Sequence, residues 1–162
     1  EMLEVKGNGA RVALGMIDVH EVENHGNYCF LNTGSPHYVE YVDDVKAIDV
    51  SRRGAEIRWS EPFASRGGTN VNFVQRIAKD HIRIRTFERG VEDETLACGT
   101  GATASALATA YLDGIPAHRY QVDVEGGSLS VAFETNSKGG FCHVILTGPA
   151  QKVFEGDIEL DF

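Results

Sequence analysis

The run at residues 101–112, "GATASALATAYL", read as a helix that starts near Thr100, restricts this chain more than any other segment. Its alanines and leucines favour a helix, yet glycine, alanine, serine or threonine occupies nearly every face, so no polar stripe remains to meet water. A helix without a polar face is a buried helix. Small side chains also let neighbouring strands approach its axis closely. The sequence must therefore supply a sheet large enough to wrap around it, and 162 residues with 42% hydrophobic content suffice for one such core.

The rest of the chain supplies that sheet. Alternating and β-branched runs predict strands at residues 11–19, 28–32, 38–42, 56–59, 70–76 and 82–88, and, after the helix, at 120–124, 128–133 and 143–147. Glu125-Gly126-Gly127 reads as a hairpin turn between two of them. One further helix is predicted at residues 44–53, which open on acidic residues and close on Arg52, Arg53 and Gly54. Ser65 to Gly68 reads as an exposed loop, and Trp59 and Phe63 as core. Strands adjacent in sequence with few helices predict an α+β fold, a mostly antiparallel or mixed sheet around a long central helix.

Composition excludes several function classes. A net charge of -9, with no local cluster of Lys and Arg, argues against nucleic acid as a partner. The weakly polar run at residues 97–112 falls short of the roughly 20 apolar residues of a membrane span, and the opening residues lack the pattern of a signal peptide. Cys29, Cys98 and Cys142 are odd in number and widely spaced, neither a disulfide framework nor a CxxC knuckle, which fits a reducing cytoplasm. "HEVENH", at residues 20–25, misses the HExxH zinc motif by one residue, so no metal site is expected. His81, His118 and His143 read as surface or strand residues.

Cys29 and Cys142 sit within strand-like runs and read as small buried hydrophobes. Cys98 stands instead where a helix begins. The first turn of a helix leaves backbone N–H groups unpartnered and carries a partial positive charge, so anions settle there. Gly99 and Gly101 permit close approach of a bound anion, and Thr100 adds a hydroxyl. A nucleotide phosphate loop would continue Gly-Lys-Ser/Thr, which this one does not, so a small carboxylate is the expected ligand. The same dipole lowers a thiol's pKa and makes Cys98 a candidate thiolate for acyl transfer, redox or acid–base work. Upstream, the adjacent Glu88 and Arg89 read either as a grip on the ammonium and carboxylate of an amino acid or as a surface ion pair beside a turn.

"FERGVEDETLACGTGATAS", together with "NTGSPHYVEYVDDV", "GGTNVNFVQ" and "LTGPAQKVFEGDIEL" in that order, resembles the diaminopimelate epimerase family over residues 28–160. The resemblance covers the second half of such an enzyme, built of two lobes with the substrate between two helix mouths. It implies a cofactor-independent epimerisation of LL-diaminopimelate to meso-diaminopimelate, with one cysteine on each face of the α-carbon, of which Cys98 is one. It further implies that Glu88 and Arg89 hold the substrate and that Gly99 and Thr100 cradle its carboxylate. The resemblance implies too that Asn70 hydrogen-bonds it and that His37 corresponds to the family's active-site histidine. Where the family usually has Asn in Gly-Asn-Pro-His, this chain has Ser35, whose hydroxyl still donates or accepts at shorter reach.

The family's other cysteine motif, Cys-Gly-Asn-Gly-x-Arg, meets only "KGNGAR" at residues 6–11, with Lys6 in the cysteine's place. This reads as an Asn-Gly hairpin between two strands, with Lys6 as a substitute base the lesser alternative. On this resemblance residues 1–148 form the lobe carrying Cys98. Residues 149–162 form a terminal segment that pairs with the missing N-terminal lobe or with a second copy of the chain. A related isomerase of phenazine-biosynthesis or proline-racemase type, and a carboxylate-binding domain without turnover, are the competing readings.

Overall fold

The computed structural model describes residues 2–6, 9–114 and 118–159. Among them the strands are β1 (Met2–Lys6), β2 (Gly9–Gly15), β3 (Glu23–Asn24), β4 (Cys29–Asn32), β5 (Pro36–Tyr41), β6 (Asn70–Ala78), β7 (His81–Glu88), β8 (Asp93–Thr95), β9 (Arg119–Val124), β10 (Gly127–Thr135) and β11 (Phe141–Gln151). Two α-helices accompany them, α1 (Val50–Arg58) and α2 (Gly99–Asp113). All strands join one sheet in the order β1-β2-β11-β10-β9-β7-β6-β5-β4-β3, with β8 added beside β7. The pairs β5–β6 and β7–β9 are parallel and the others antiparallel, the mixed sheet expected for an α+β fold.

Helix α2 is the axis of this arrangement. Residues 101 to 110 are buried without interruption, and the helix packs against β4, β5, β6, β7, β9, β10 and β11. Around it lies the larger core, including Val39, Val74, Ile82, Ile84, Leu107, Tyr120, Val131 and Leu146. The second helix covers the opposite side of the sheet. There Tyr38, Val45, Val50, Phe63, Val71, Phe73 and Phe87 form a smaller core beneath α1. Strand alternation feeds both cores, as β6 sends Val71 and Phe73 to the α1 side and Val74 to the α2 side.

Several expectations need correction. Residues 56–59 are not a strand; Glu56, Ile57 and Arg58 close α1, and Trp59 is its C-cap. Their short alternation fits a strand, but the capped helix upstream continues through them. The helix expected at residues 44–53 divides in two. Asp44 caps a single 3-10 turn, Val45–Ala47, through Lys46 N, and α1 starts only at Val50, where Asp49 accepts from Arg52 N at 3.1 Å. Gly54 brings that helix onto the sheet, since a Cβ there would lie 2.3 Å from Cβ of Phe87.

Phe63 is core, but Trp59 is 61% exposed, with its ring under the Arg58 guanidinium at 4.4 Å. The strand expected over residues 11–19 stops at Gly15, and Val19 rejoins the sheet through a bridge to Phe141. The loop containing Ser65 to Gly68 connects α1 to β6, and Gly68 is buried. The Asn-Gly hairpin is consistent with the antiparallel pairing of β1 and β2, in which Lys6 faces Gly9; Gly7 and Asn8 themselves lie outside the described residues. Strand β11 runs to Gln151, pairing Pro149, Ala150 and Gln151 with β2. His81, read as a surface or strand residue, opens β7 and bonds Asp123 at 2.8 Å across the parallel β7–β9 pair.

Candidate active site

Strand register assembles the site. In the parallel β5–β6 pair His37 lies opposite Asn70, and in the antiparallel β6–β7 pair Val71 lies opposite Phe87. The starts of β5 and β6 and the end of β7 therefore meet at one end of the sheet. The first turn of α2 opens at that same end. Ser35, His37, Asn70, Glu88, Arg89, Cys98, Gly99 and Thr100 are brought together there, although they span 66 positions of sequence.

Cys98 is the N-cap of α2, with extended backbone angles and a side chain buried to 6% exposure. Its carbonyl accepts from Ala102 N at 2.8 Å, and its Sγ lies 3.5 Å from Thr100 Oγ1. Burial pushes the thiol pKa up, the reverse of the expected depression. Hydrogen bonds from Thr100 and the Gly101 amide pull it down, but the Glu88 carboxylate adds to the rise. Removal of the sulfur from water thus outweighs the helix mouth in this chain. The mouth is anchored by Thr33 Oγ1, which donates to Thr100 O at 3.0 Å, and by Thr103 Oγ1, which donates to Gly99 O at 2.9 Å.

His37 is fully buried, and its ring is held from both sides. Asn72 Nδ2 lies 3.1 Å from Nδ1 and also donates to Tyr38 O at 2.9 Å, while Thr86 Oγ1 donates to Asn72 Oδ1 at 3.0 Å. That chain orients the Asn72 amide with its N–H toward the ring, so Nδ1 accepts and Nε2 carries the proton. Nε2 then donates to Ser35 Oγ at 3.0 Å. Burial, with the Arg89 charge second, lowers the His37 pKa to about 3, and the ring is neutral at physiological pH.

Ser35 is a junction. Its Oγ also accepts from Asn70 Nδ2 at 3.2 Å and lies 3.4 Å from Thr100 Oγ1. With two donors already on its oxygen, its own proton is left to point toward Thr100 or a ligand. Asn70 Nδ2 further donates to Pro36 O, and Asn70 Oδ1 accepts from Arg89 N at 2.9 Å. Glu88 accepts from Thr95 Oγ1 at 3.0 Å. The turn after Arg89 is fixed by buried Arg58, which donates to Glu92 Oε1 and to Gly67 O and so ties it to the loop preceding β6.

Asn72, Thr33, Thr86 and Thr95 belong to this constellation and were not singled out in the sequence. For Asn72 a signal exists: in "NVN" the two asparagines lie two residues apart on a strand and share a face. Thr86 and Thr95 carry no such signal. Lys6 is the last residue of β1 and pairs with Gly9 of β2, and its side chain is outside the described residues. Cys29 is buried in the main core beside α2, and Cys142 is half-buried on β11. The histidines of "HEVENH" do not share a helix; His25 Nε2 lies 3.2 Å from Glu23, in the short strand β3.

Comparison with known proteins bears on the family and on the fold. The family model described as diaminopimelate epimerase matches residues 29–153. A diaminopimelate epimerase of Flavobacterium psychrophilum is 45% identical over 147 residues, covering 91% of this chain and 57% of the relative. One from Aquifex aeolicus is 48% identical over 130 residues, covering 78% of this chain and 44% of the relative. The chain thus spans about half the length of the curated relatives it matches. Among solved structures, a hydroxyproline epimerase from Agrobacterium vitis superposes with TM-score 0.63 at 16% identity, covering 88% of this chain and 52% of that one. A probable proline racemase from Agrobacterium radiobacter does so with TM-score 0.59 at 17% identity, covering 91% and 54%. These two likenesses concern the fold alone.

Proposed function

Because the chain belongs to the diaminopimelate epimerase family, we propose that it is the lobe of an amino-acid epimerase that supplies Cys98 as one of two thiols acting on opposite faces of an α-carbon. The observation that carries this reading is the position of Cys98 at the mouth of a buried helix, where Glu88, Arg89, Asn70 and the Ser35–His37 pair converge.

The chemistry follows from the placement. The α-carboxylate of the substrate occupies the first turn of α2, against the amides of Gly99 and Thr100, where the partial positive charge also stabilises the electron density that develops when the α-proton leaves. Arg89 and Glu88 complement the carboxylate and the ammonium of the amino acid. In one direction the Cys98 thiolate takes the α-proton and becomes a thiol while a thiol on the other face delivers its proton. In the reverse direction Cys98 donates. The raised pKa of Cys98 in this lobe makes the thiol its resting form, the one that donates. Formation of the thiolate then depends on charge brought by substrate and by the second lobe.

LL- and meso-diaminopimelate are the proposed substrates. The partner we assign is an N-terminal lobe carrying the second thiol. The terminal segment beyond β11 suits such a contact, since Val153, Phe154 and Ile158 are each more than 80% exposed. A carboxylate-binding domain without turnover is the second reading, and the upward shift of the Cys98 thiol is the observation in its favour.

The test is α-proton exchange in deuterated buffer, followed by proton NMR, with LL- and meso-diaminopimelate. The chain alone should give no exchange, and adding the N-terminal half of a full-length relative should restore it. In the restored system Cys98→Ala should abolish exchange and Cys142→Ala should leave it intact. Equal loss in both variants would exclude Cys98 as the acid–base group, and binding without exchange in the reconstituted protein would favour the second reading.

A further inference from the structure

On the outer surface of the β10–β11 hairpin, away from the helix mouth, Glu134, Cys142 and His143 hold a carboxylate oxygen, a thiol sulfur and an imidazole nitrogen within 4.8 Å of one another. This grouping does not follow from ordinary strand geometry. Consecutive residues of a strand point to opposite faces, so Cys142 and His143 should lie on either side of the sheet. They share a side because β11 is bulged there. Ala132 pairs with Ile145 and Glu134 with Cys142, so His143 and Val144 together oppose the single Phe133.

His143 absorbs the extra residue with φ +50°, a left-handed conformation that favours glycine, although a histidine occupies it. Val144 consequently turns inward, 1% exposed, while His143 stays outside beside Cys142. Glu134, the register partner of Cys142, completes the set from β10.

We propose that Glu134, Cys142 and His143 form a binding site for one divalent cation of the zinc class. The donor set of one soft sulfur, one imidazole and one carboxylate suits Zn²⁺ or Co²⁺ and disfavours the all-oxygen cations Ca²⁺ and Mg²⁺. Tetrahedral coordination separates such ligand atoms by roughly 3.3–3.6 Å, so side-chain adjustment of about 1 Å closes the set around an ion. Asp18 lies close enough to Cys142 to add its negative charge to the same surface. Binding releases the thiol proton to solvent and leaves the fourth position to water. His118 lines the same groove as Glu134 and His143, a cavity of about 460 Å³, and is a second imidazole to test as the fourth donor.

The experiment titrates the full chain, under reducing conditions, with Co²⁺ alone and then with Zn²⁺ against a chromophoric chelator. The expected result is a sulfur-to-cobalt charge-transfer band that saturates at one equivalent, is displaced by Zn²⁺, survives Cys98→Ala and disappears in Cys142→Ser. His143→Ala and Glu134→Gln should each weaken Zn²⁺ binding roughly tenfold or more, with unchanged circular dichroism. The proposal is overturned by the absence of a band in the parent chain, by a band that persists in Cys142→Ser, or by loss of the band in Cys98→Ala. Zn²⁺ affinity that is the same in parent, His143→Ala and Glu134→Gln proteins overturns it equally.

Discussion

Gly101 in α2 and Asn72 in β6 approach so closely that a Cβ built on the glycine would lie 2.4 Å from Asn72 Oδ1. The same added atom would lie 3.3 Å from Cys98 Sγ. Asn72 cannot simply turn away, because Thr86, Tyr38 and His37 each hold it by a hydrogen bond. Gly101→Ala is expected to lower folding stability by about 1–3 kcal/mol, the range for forced overpacking. It should also abolish exchange in the reconstituted protein. The midpoint of urea unfolding measures the first effect, and an unchanged midpoint would mean that the helix mouth shifts freely.

Stability should depend on pH through His37. Its folded pKa of about 3 lies below the ordinary 6.5 because burial and Arg89 disfavour the cation. Between those two values the unfolded chain binds the extra proton, so stability rises with pH across the window and falls as pH drops from about 6.5 toward about 3. One such proton contributes at most about 1.4 kcal/mol per pH unit. Urea unfolding at pH 7, 6, 5 and 4 tests the slope, and His37→Gln should flatten it by up to one proton.

Cys98 should react slowly with iodoacetamide at neutral pH, more slowly than the more accessible Cys142, since burial both covers the sulfur and raises its pKa. The raised value favours the neutral thiol in the folded chain, so its stabilising contribution is present below the ordinary 9.0 and is lost as pH climbs through the folded value. Thr100→Val removes a hydrogen bond to the sulfur and should slow alkylation further. Peptide mapping by mass spectrometry separates the three cysteines, and Cys98 labelling ahead of Cys142 would contradict the burial argument.

Arg58 should matter despite its distance in sequence from the helix mouth. It joins Glu92 to Gly67, and a Cβ on Gly68 would fall 1.1 Å from its Nη1. Arg58→Ala leaves the Gly67 carbonyl without this donor. An expected loss of about 1–3 kcal/mol follows, with the Glu92 part discounted because that carboxylate is 37% exposed. Arg58→Lys, unable to reproduce the forked contact, should recover only part of it. Denaturant midpoints of the two variants decide the order.

The central helix, most of the strands and the family resemblance were legible in the sequence, for one reason: each rests on local pattern. Uniform small residues in 101–112 demand burial, alternation marks strands, and glycine after a cysteine marks a helix mouth. Where two patterns overlapped, local reading failed. Glu56 to Trp59 alternates like a strand, yet the helix capped by Asp49 runs on to Arg58, and Trp59, the residue that ends it, is exposed.

The surroundings that govern the protons of Cys98 and His37 come from tertiary structure. The sequence placed the thiol on a helix dipole and implied a lowered pKa; packing withdrew it from water, and desolvation reversed the sign. The tautomer of His37 depends on Asn72 and Thr86, which reach it only through sheet register. Pattern along a chain determines which elements form, because the forces that make them act between near neighbours. Solvent exposure and hydrogen-bond partners are fixed only when distant strands pair, and those are the quantities that set how each group holds its proton.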